Sequence, residues 1–95
     1  MSNLRQRLDP YLAIIKSCGR ALHQDDPELG QQLETERFHL FQALERGDIQ
    51  MAGLWLKSLE AMADCVSRDF VALPRLREAL VALRAEVSVL TVPAP

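Results

Sequence analysis

Acid–base chemistry near neutral pH is the province of histidine, and this chain has two, His23 and His39. Neither has a second histidine or a cysteine three or four residues away, the spacing a helical metal site requires. His23 falls at the expected end of a helix, where the helix dipole alone favours a cation. His39 falls on a polar helix face. The serines Ser17, Ser58, Ser67 and Ser88 have no Gly-x-Ser-x-Gly setting and no evident base. Asp25 and Asp26 lack the oxygen-rich loop that calcium needs, and capping accounts for them better. No glycine-rich phosphate loop occurs. Cys18 and Cys65 form no Cys-x-x-Cys, and both are expected to be small buried hydrophobes in a reducing compartment. The expectation is therefore no catalytic residue, no metal and no cofactor.

Residue types suited to binding another polypeptide are better represented. Trp55 is the only tryptophan. It is expected in the core or, alternatively, as an interface anchor, because tryptophan is enriched among binding hot spots. Met51, Leu54, Trp55, Met62 and Cys65 form an apolar seam beside a second one made of Ile49, Ala52, Leu56, Leu59, Ala63, Val66 and Phe70. That is more apolar surface than one thin bundle needs, and surplus of this kind marks association. Trp55, Met51, Met62 and Phe41 are the expected apolar contacts of a groove. Glu34, Glu36 and Arg37, in a charged stretch that also holds Glu45 and Arg46, are its expected rim.

Four stretches must position these residues. Leu4, Leu8, Tyr11 or Leu12, Ile15, Cys18 and Leu22 share one helical face. Asp9-Pro10 inside that run reads either as a cap with proline at the first helical position or as a kink. Asp25-Asp26-Pro27-Glu28 repeats the cap-plus-proline signal and opens a helix to about Arg46. Leu29, Leu33, Leu40 and Leu44 line its inner face, widened by Phe38 and Phe41. Gly47 suits a left-handed terminator and Asp48 caps the next helix at once, so the two helices must run antiparallel. The segment from Ile49 to about Leu73 is apolar around most of its circumference. It is expected to be the central helix, covered by several neighbours, with Pro74 resetting the chain. Leu76, Leu80, Leu83, Val87 and Leu90 step by four and three, a knobs-into-holes pattern. Val87–Val92 is β-branched and ends either as helix or as an extended arm. The fold class is thus all-α: a small antiparallel bundle of three long helices plus a short or kinked N-terminal one. One domain over 1–92 is expected, with 93–95 as a disordered stub.

Ninety-five residues bury only a thin core, which favours oligomerisation or docking. With 48% hydrophobic and 25% charged residues the chain is globular rather than disordered. A net charge of −2 speaks against nucleic acid and against a polybasic membrane-surface helix. Met1–Arg7 lacks the apolar core of a signal peptide, and no uncharged run reaches the ~20 residues that span a bilayer. A cytoplasmic location is expected.

Two resemblances bear on function. Leu4-Arg5-Gln6-Arg7-Leu8-Asp9, Ile14-Ile15 and Arg20-Ala21-Leu22 resemble the first helix of the all-helical chorismate mutases, which would imply a small helical dimeric enzyme holding a dicarboxylate with cations. The lysine that this family has one helical stretch further on is replaced here by Asp25, Asp26 and Glu28. Leu44-Glu45-Arg46-Gly47-Asp48, followed by a helix carrying Leu59-Glu60, is similar to a phrase of small flagellar and secretion chaperones. That resemblance implies a short acidic helical protein that binds a partner's amphipathic segment. The function expected from the whole is a non-enzymatic interaction module: an adaptor, chaperone or regulator that sequesters another protein in an apolar helical groove. The alternative is a homodimer built on the last helix or its Val87–Val92 arm.

Overall fold

The computed structural model describes residues 2–91. It is all-α, with four helices: α1 (Ser2–Asp25), α2 (Pro27–Glu45), α3 (Ile49–Cys65) and α4 (Leu73–Thr91). They pack in a ring, α1 on α2, α2 on α3, α3 on α4 and α4 back on α1; the diagonal pairs make no close backbone contact among the described residues. The result is an up-down-up-down bundle measuring 45 × 20 × 19 Å.

Each helix contributes one seam. Leu8, Leu12, Ile15, Cys18 and Leu22 of α1 are buried, as are Leu33, Leu40 and Ala43 of α2. From α3 come Ala52, Leu56, Leu59 and Ala63, and from α4 Leu76, Leu80, Leu83 and Val87. Steps of three and four keep each row on one side of its cylinder. At about 25 cal/mol per Å² of apolar surface removed from water, this shared core is the main stabilising term.

The chain reversals follow local chemistry. Asp26, in an extended conformation, accepts a hydrogen bond from the Leu29 amide at 3.2 Å, with Pro27 at the first helical position. Gly47 has φ +70°, the left-handed geometry that favours glycine, and its amide bonds the Leu44 carbonyl. Asp48 then caps α3 through the Met51 amide at 3.1 Å.

One expectation needs correction, and two alternatives that the sequence left open are decided. The N-terminal helix is neither short nor restarted at Pro10: α1 is a single helix of 24 residues with Pro10 inside it. Pro10 and Gln6 are exposed, so the Gln6 carbonyl that proline leaves without a helical donor faces solvent rather than core. The third helix is not central and does not reach Leu73. It touches only two neighbours and ends at Cys65, where Val66 turns extended (φ −76°, ψ 139°). The Ser67 hydroxyl accepts from the Asp69 amide, and successive turns join Phe70 to Ser67 and Leu73 to Phe70. Serine diverts the backbone from the helix in this way. Val66, Phe70 and Leu73 remain buried because these turns fold across the end of the core, which is why they fitted a helical seam. Pro74 therefore lies in the first turn of α4, where no amide donor is needed. Finally, residues 87–91 are helical and not an extended arm; Val92 and the stub at 93–95 lie outside the described residues.

The helix contacts are closest between α1 and α2. A Cβ on Gly30 would lie 2.5 Å from both the Cα and the amide nitrogen of His23. A Cβ on Gly53 would meet nothing within 4 Å. The same substitution at the two sites should therefore have opposite signs. Gly53→Ala should stabilise by about 0.5–1 kcal/mol through helix propensity. Gly30→Ala should destabilise by about 1–3 kcal/mol as the helices are forced apart. Urea unfolding followed by circular dichroism measures both.

Candidate interaction face

The α2/α3 side of the bundle is organised by two contacts between helices. The His39 and Trp55 rings stack with centroids 4.6 Å apart and planes inclined at 17°. One turn further along the bundle, Glu36 of α2 accepts hydrogen bonds from the Ser58 hydroxyl of α3 and from the Gln32 side-chain amide. Glu36 is only 7% exposed, so these bonds satisfy a carboxylate that would otherwise be costly to bury. Together they fix the register of α2 against α3.

Around that pair large apolar side chains reach the surface. Leu54 is 62% exposed, Phe38 48% and Met51 43%. Met51 and Ser58 flank Trp55 at helical spacing, and Phe38 lies 6.2 Å from His39 in a tilted pair. On the α2 half, Gln32, Thr35, His39 and Gln42 are outward positions; on the α3 half they are Met51, Leu54, Ser58, Ala61 and Cys65. Exposed charges border them: Glu28 and Arg46 continue the α2 row at its two ends, and Lys57 lies one turn from Leu54 on α3. Ion pairs lie at the other helix boundaries. Glu60 is paired with Arg84 between α3 and α4 (Nη2–Oε1 2.5 Å, Nε–Oε2 3.0 Å), and Arg7 with Glu86 between α1 and α4. Glu34 and Arg37 lie 3.9 Å apart beside α1.

The residues expected to form one groove are divided by this geometry. Trp55 is half-buried at the centre of the α2/α3 face and Met51 is exposed beside it. Met62 is in the core at 6% exposure and offers no surface. Phe41 is half-buried further round α2. With Phe38, Gln42, Glu45 and Arg46 it lines a shallow depression of about 300 Å³. The three rim residues also separate. Glu36 faces α3, buried and hydrogen-bonded, whereas Glu34 and Arg37 turn toward α1. There Gly19 leaves the space the Glu34 carboxylate occupies: a Cβ on Gly19 would lie 2.7 Å from Glu34 Oε1. His39, Leu54 and Ser58 belong to the face and were not assigned to it from sequence. No single-helix pattern marks them; the register of α2 against α3 brings them together.

The two cysteines differ. Cys18 is buried, with its Sγ 3.8 Å from the Ala72 carbonyl oxygen, and burial raises its thiol above the ordinary value while Arg75 partly offsets this. Cys65 is exposed, contrary to expectation, because α3 ends there. It borders a cleft of about 450 Å³ at the bundle end, lined also by Asp25, Asp26, Asp69 and Phe70. No group of three or more potential metal ligands forms among the described residues. No helix among them is long and apolar enough to cross a membrane.

What these features define is a four-helix bundle with exposed apolar side chains gathered around a stacked His39–Trp55 pair on its α2/α3 side. No protein-family model matches the chain, and no curated protein or solved structure matches it.

Two outcomes test the geometry. Iodoacetamide should modify Cys65 in the folded protein while Cys18 stays protected until unfolding, as mass spectrometry of the labelled peptides would show. Ser58→Ala should cost about 1–3 kcal/mol by leaving a Glu36 oxygen without its donor. The double change Ser58→Ala with Glu36→Leu should recover most of that loss, because no buried charge is then left unsatisfied.

Proposed function

We propose that the protein is a non-enzymatic interaction module, an adaptor, chaperone or regulator working in the cytoplasm. Its α2/α3 face receives an amphipathic helical segment of another polypeptide. The observation that carries this reading is the exposure of Leu54, Met51 and Phe38 around the His39–Trp55 stack. A contiguous apolar patch of this kind on a small domain is the usual mark of a protein contact. Interface cores are depleted of charge and enriched in aromatic residues and methionine.

Recognition would follow the helix-in-groove mode. Trp55, held in place by His39, acts as the rigid anchor, and Met51 and Leu54 as the adaptable apolar contacts. Phe41 and the Glu34–Arg37 pair would lie at the α1 edge of the same helix, beyond the central contact. His39 is engaged in the stack with Trp55, and Cys18 is buried in the core.

Capture from a native cell extract with the immobilised chain tests the proposal. Leu54→Glu, at an exposed position, should leave the circular dichroism spectrum unchanged and lose the captured partner. Trp55→Ala should weaken purified partner binding by roughly 30-fold or more, the equivalent of about 2 kcal/mol for a hot-spot residue. Equal capture by the wild type and both variants would overturn the assignment.

A further inference from the structure

The geometry points to a pH-sensitive element in the α2/α3 side, formed by His39 on Trp55. As pH falls through the histidine range, protonation of His39 converts their stack into a cation–π contact and places a positive charge beside the exposed apolar side chains. The inference goes beyond the contact-surface reading and is tested on the chain alone.

Histidine is the side chain whose ordinary charge change falls between about pH 5 and 8. Of the two here, His23 is exposed in the last turn of α1, whereas His39 is half-buried between α2 and α3. The His39 and Trp55 planes are inclined at only 17° with centroids 4.6 Å apart, so the imidazole lies over the electron-rich face of the indole. Its nitrogens then point along the ring plane, away from the indole. Neither is hydrogen-bonded among the described residues, and neither is a buried unpaired atom, so both reach solvent. A proton is therefore gained without breaking any bond of the fold. Once gained, it is held over the ring face that attracts cations.

The charges around His39 favour the same form. On its side of α2 the one charged group within a turn is Glu36, whose carboxylate is held by Ser58 and Gln32. Arg46 lies two turns further on and Glu28 three turns back, both exposed. Glu34 and Arg37 pair on the opposite, α1-facing side of α2. From α3, Ala52, Trp55, Ser58 and Leu59 pack toward α2, and none is titratable. The nearest α3 charges are Asp48, which caps the helix two turns before Trp55, and Lys57, about 200° round the cylinder from Trp55. Between α4 and α2 there is no close backbone contact among the described residues. For an apolar occupant of this face the consequence is release, since the imidazolium would have to lose its water beneath it. That consequence alone rests on the contact-surface reading.

Titration of Trp55 emission in the full chain from about pH 8 to about pH 5 tests the inference, because an imidazolium stacked on an indole quenches it more strongly than a neutral imidazole does. The wild type should lose intensity in a single step. His39→Gln should lack the step and His23→Gln should keep it, with circular dichroism checking the fold of both. The stack favours the charged form, so its added contribution to stability is present on the acid side of the histidine range and lost as pH rises through it. In urea unfolding, His39→Gln should accordingly lower the folding equilibrium constant roughly 3-fold more at about pH 5.5 than at about pH 8. Emission that stays flat across the range overturns the inference. So does a step that survives His39→Gln, or an equal loss of stability at both pH values. Every readout uses the chain by itself, so failure here is distinct from failure of partner capture by the α2/α3 face.

Discussion

Four apolar seams, each one helix-side wide, have to close on one another in a ring, and this constraint governs the rest of the molecule. No helix is surrounded. With no close backbone approach between the diagonal pairs among the described residues, each helix has two neighbours and one outward face. The core is therefore a single column of leucines with alanines between them, continuous from Leu8 and Val87 at one end to Leu22 and Phe70 at the other. Small residues set how close the helices come. Gly30 lets the α2 backbone approach His23, and Gly19 leaves room for the Glu34 side chain. A helix-propensity argument, which treats a glycine in α1 only as a weakness, misses this function because the gain lies in the neighbouring helix.

Much of that architecture is legible in the sequence. Asp26-Pro27 and Gly47-Asp48 satisfy backbone groups within a few residues of themselves, so their meaning is local. The four-three stepping of Leu76, Leu80, Leu83 and Val87 likewise needs only one helix to interpret. The errors fall where two accounts share the same local pattern. Asp9-Pro10 is a good helix start by composition. It lies within α1 because the seam on either side of it, Leu8 with Leu12 and Ile15, gains more by remaining in phase than the chain gains by a new cap. Val66 and Phe70 continue the seam of α3 by spacing, yet they reach the core from turns. Periodicity reports which residues are buried more faithfully than it reports how the backbone delivers them.

The face is less legible than the fold for a related reason. Two apolar seams side by side on α3 announce surplus hydrophobic surface without saying which part is outside. Met62 and Met51 look alike in sequence, and one is core while the other is exposed. Glu34, Glu36 and Arg37 look like one charged rim. Successive helical positions 100° apart send Glu36 toward α3 and the other two toward α1, so the rim is divided between two helix boundaries. Trp55 is identifiable by type alone, but its partner His39 and the Glu36–Ser58 bond depend on the register of α2 against α3, which no single-helix pattern contains.

The exposed apolar side chains of the α2/α3 side are hard to explain by stability. Leu54, Phe38 and Met51 are 62%, 48% and 43% exposed, so folding withdraws little of their apolar surface from water and they add little to the folded state. Exposed ion pairs such as Arg7–Glu86 contribute little as well, typically below about 1 kcal/mol, but they serve solubility. Exposed apolar side chains work against it. Their gathering around a half-buried tryptophan is the arrangement expected when contact, rather than water, is what that face meets.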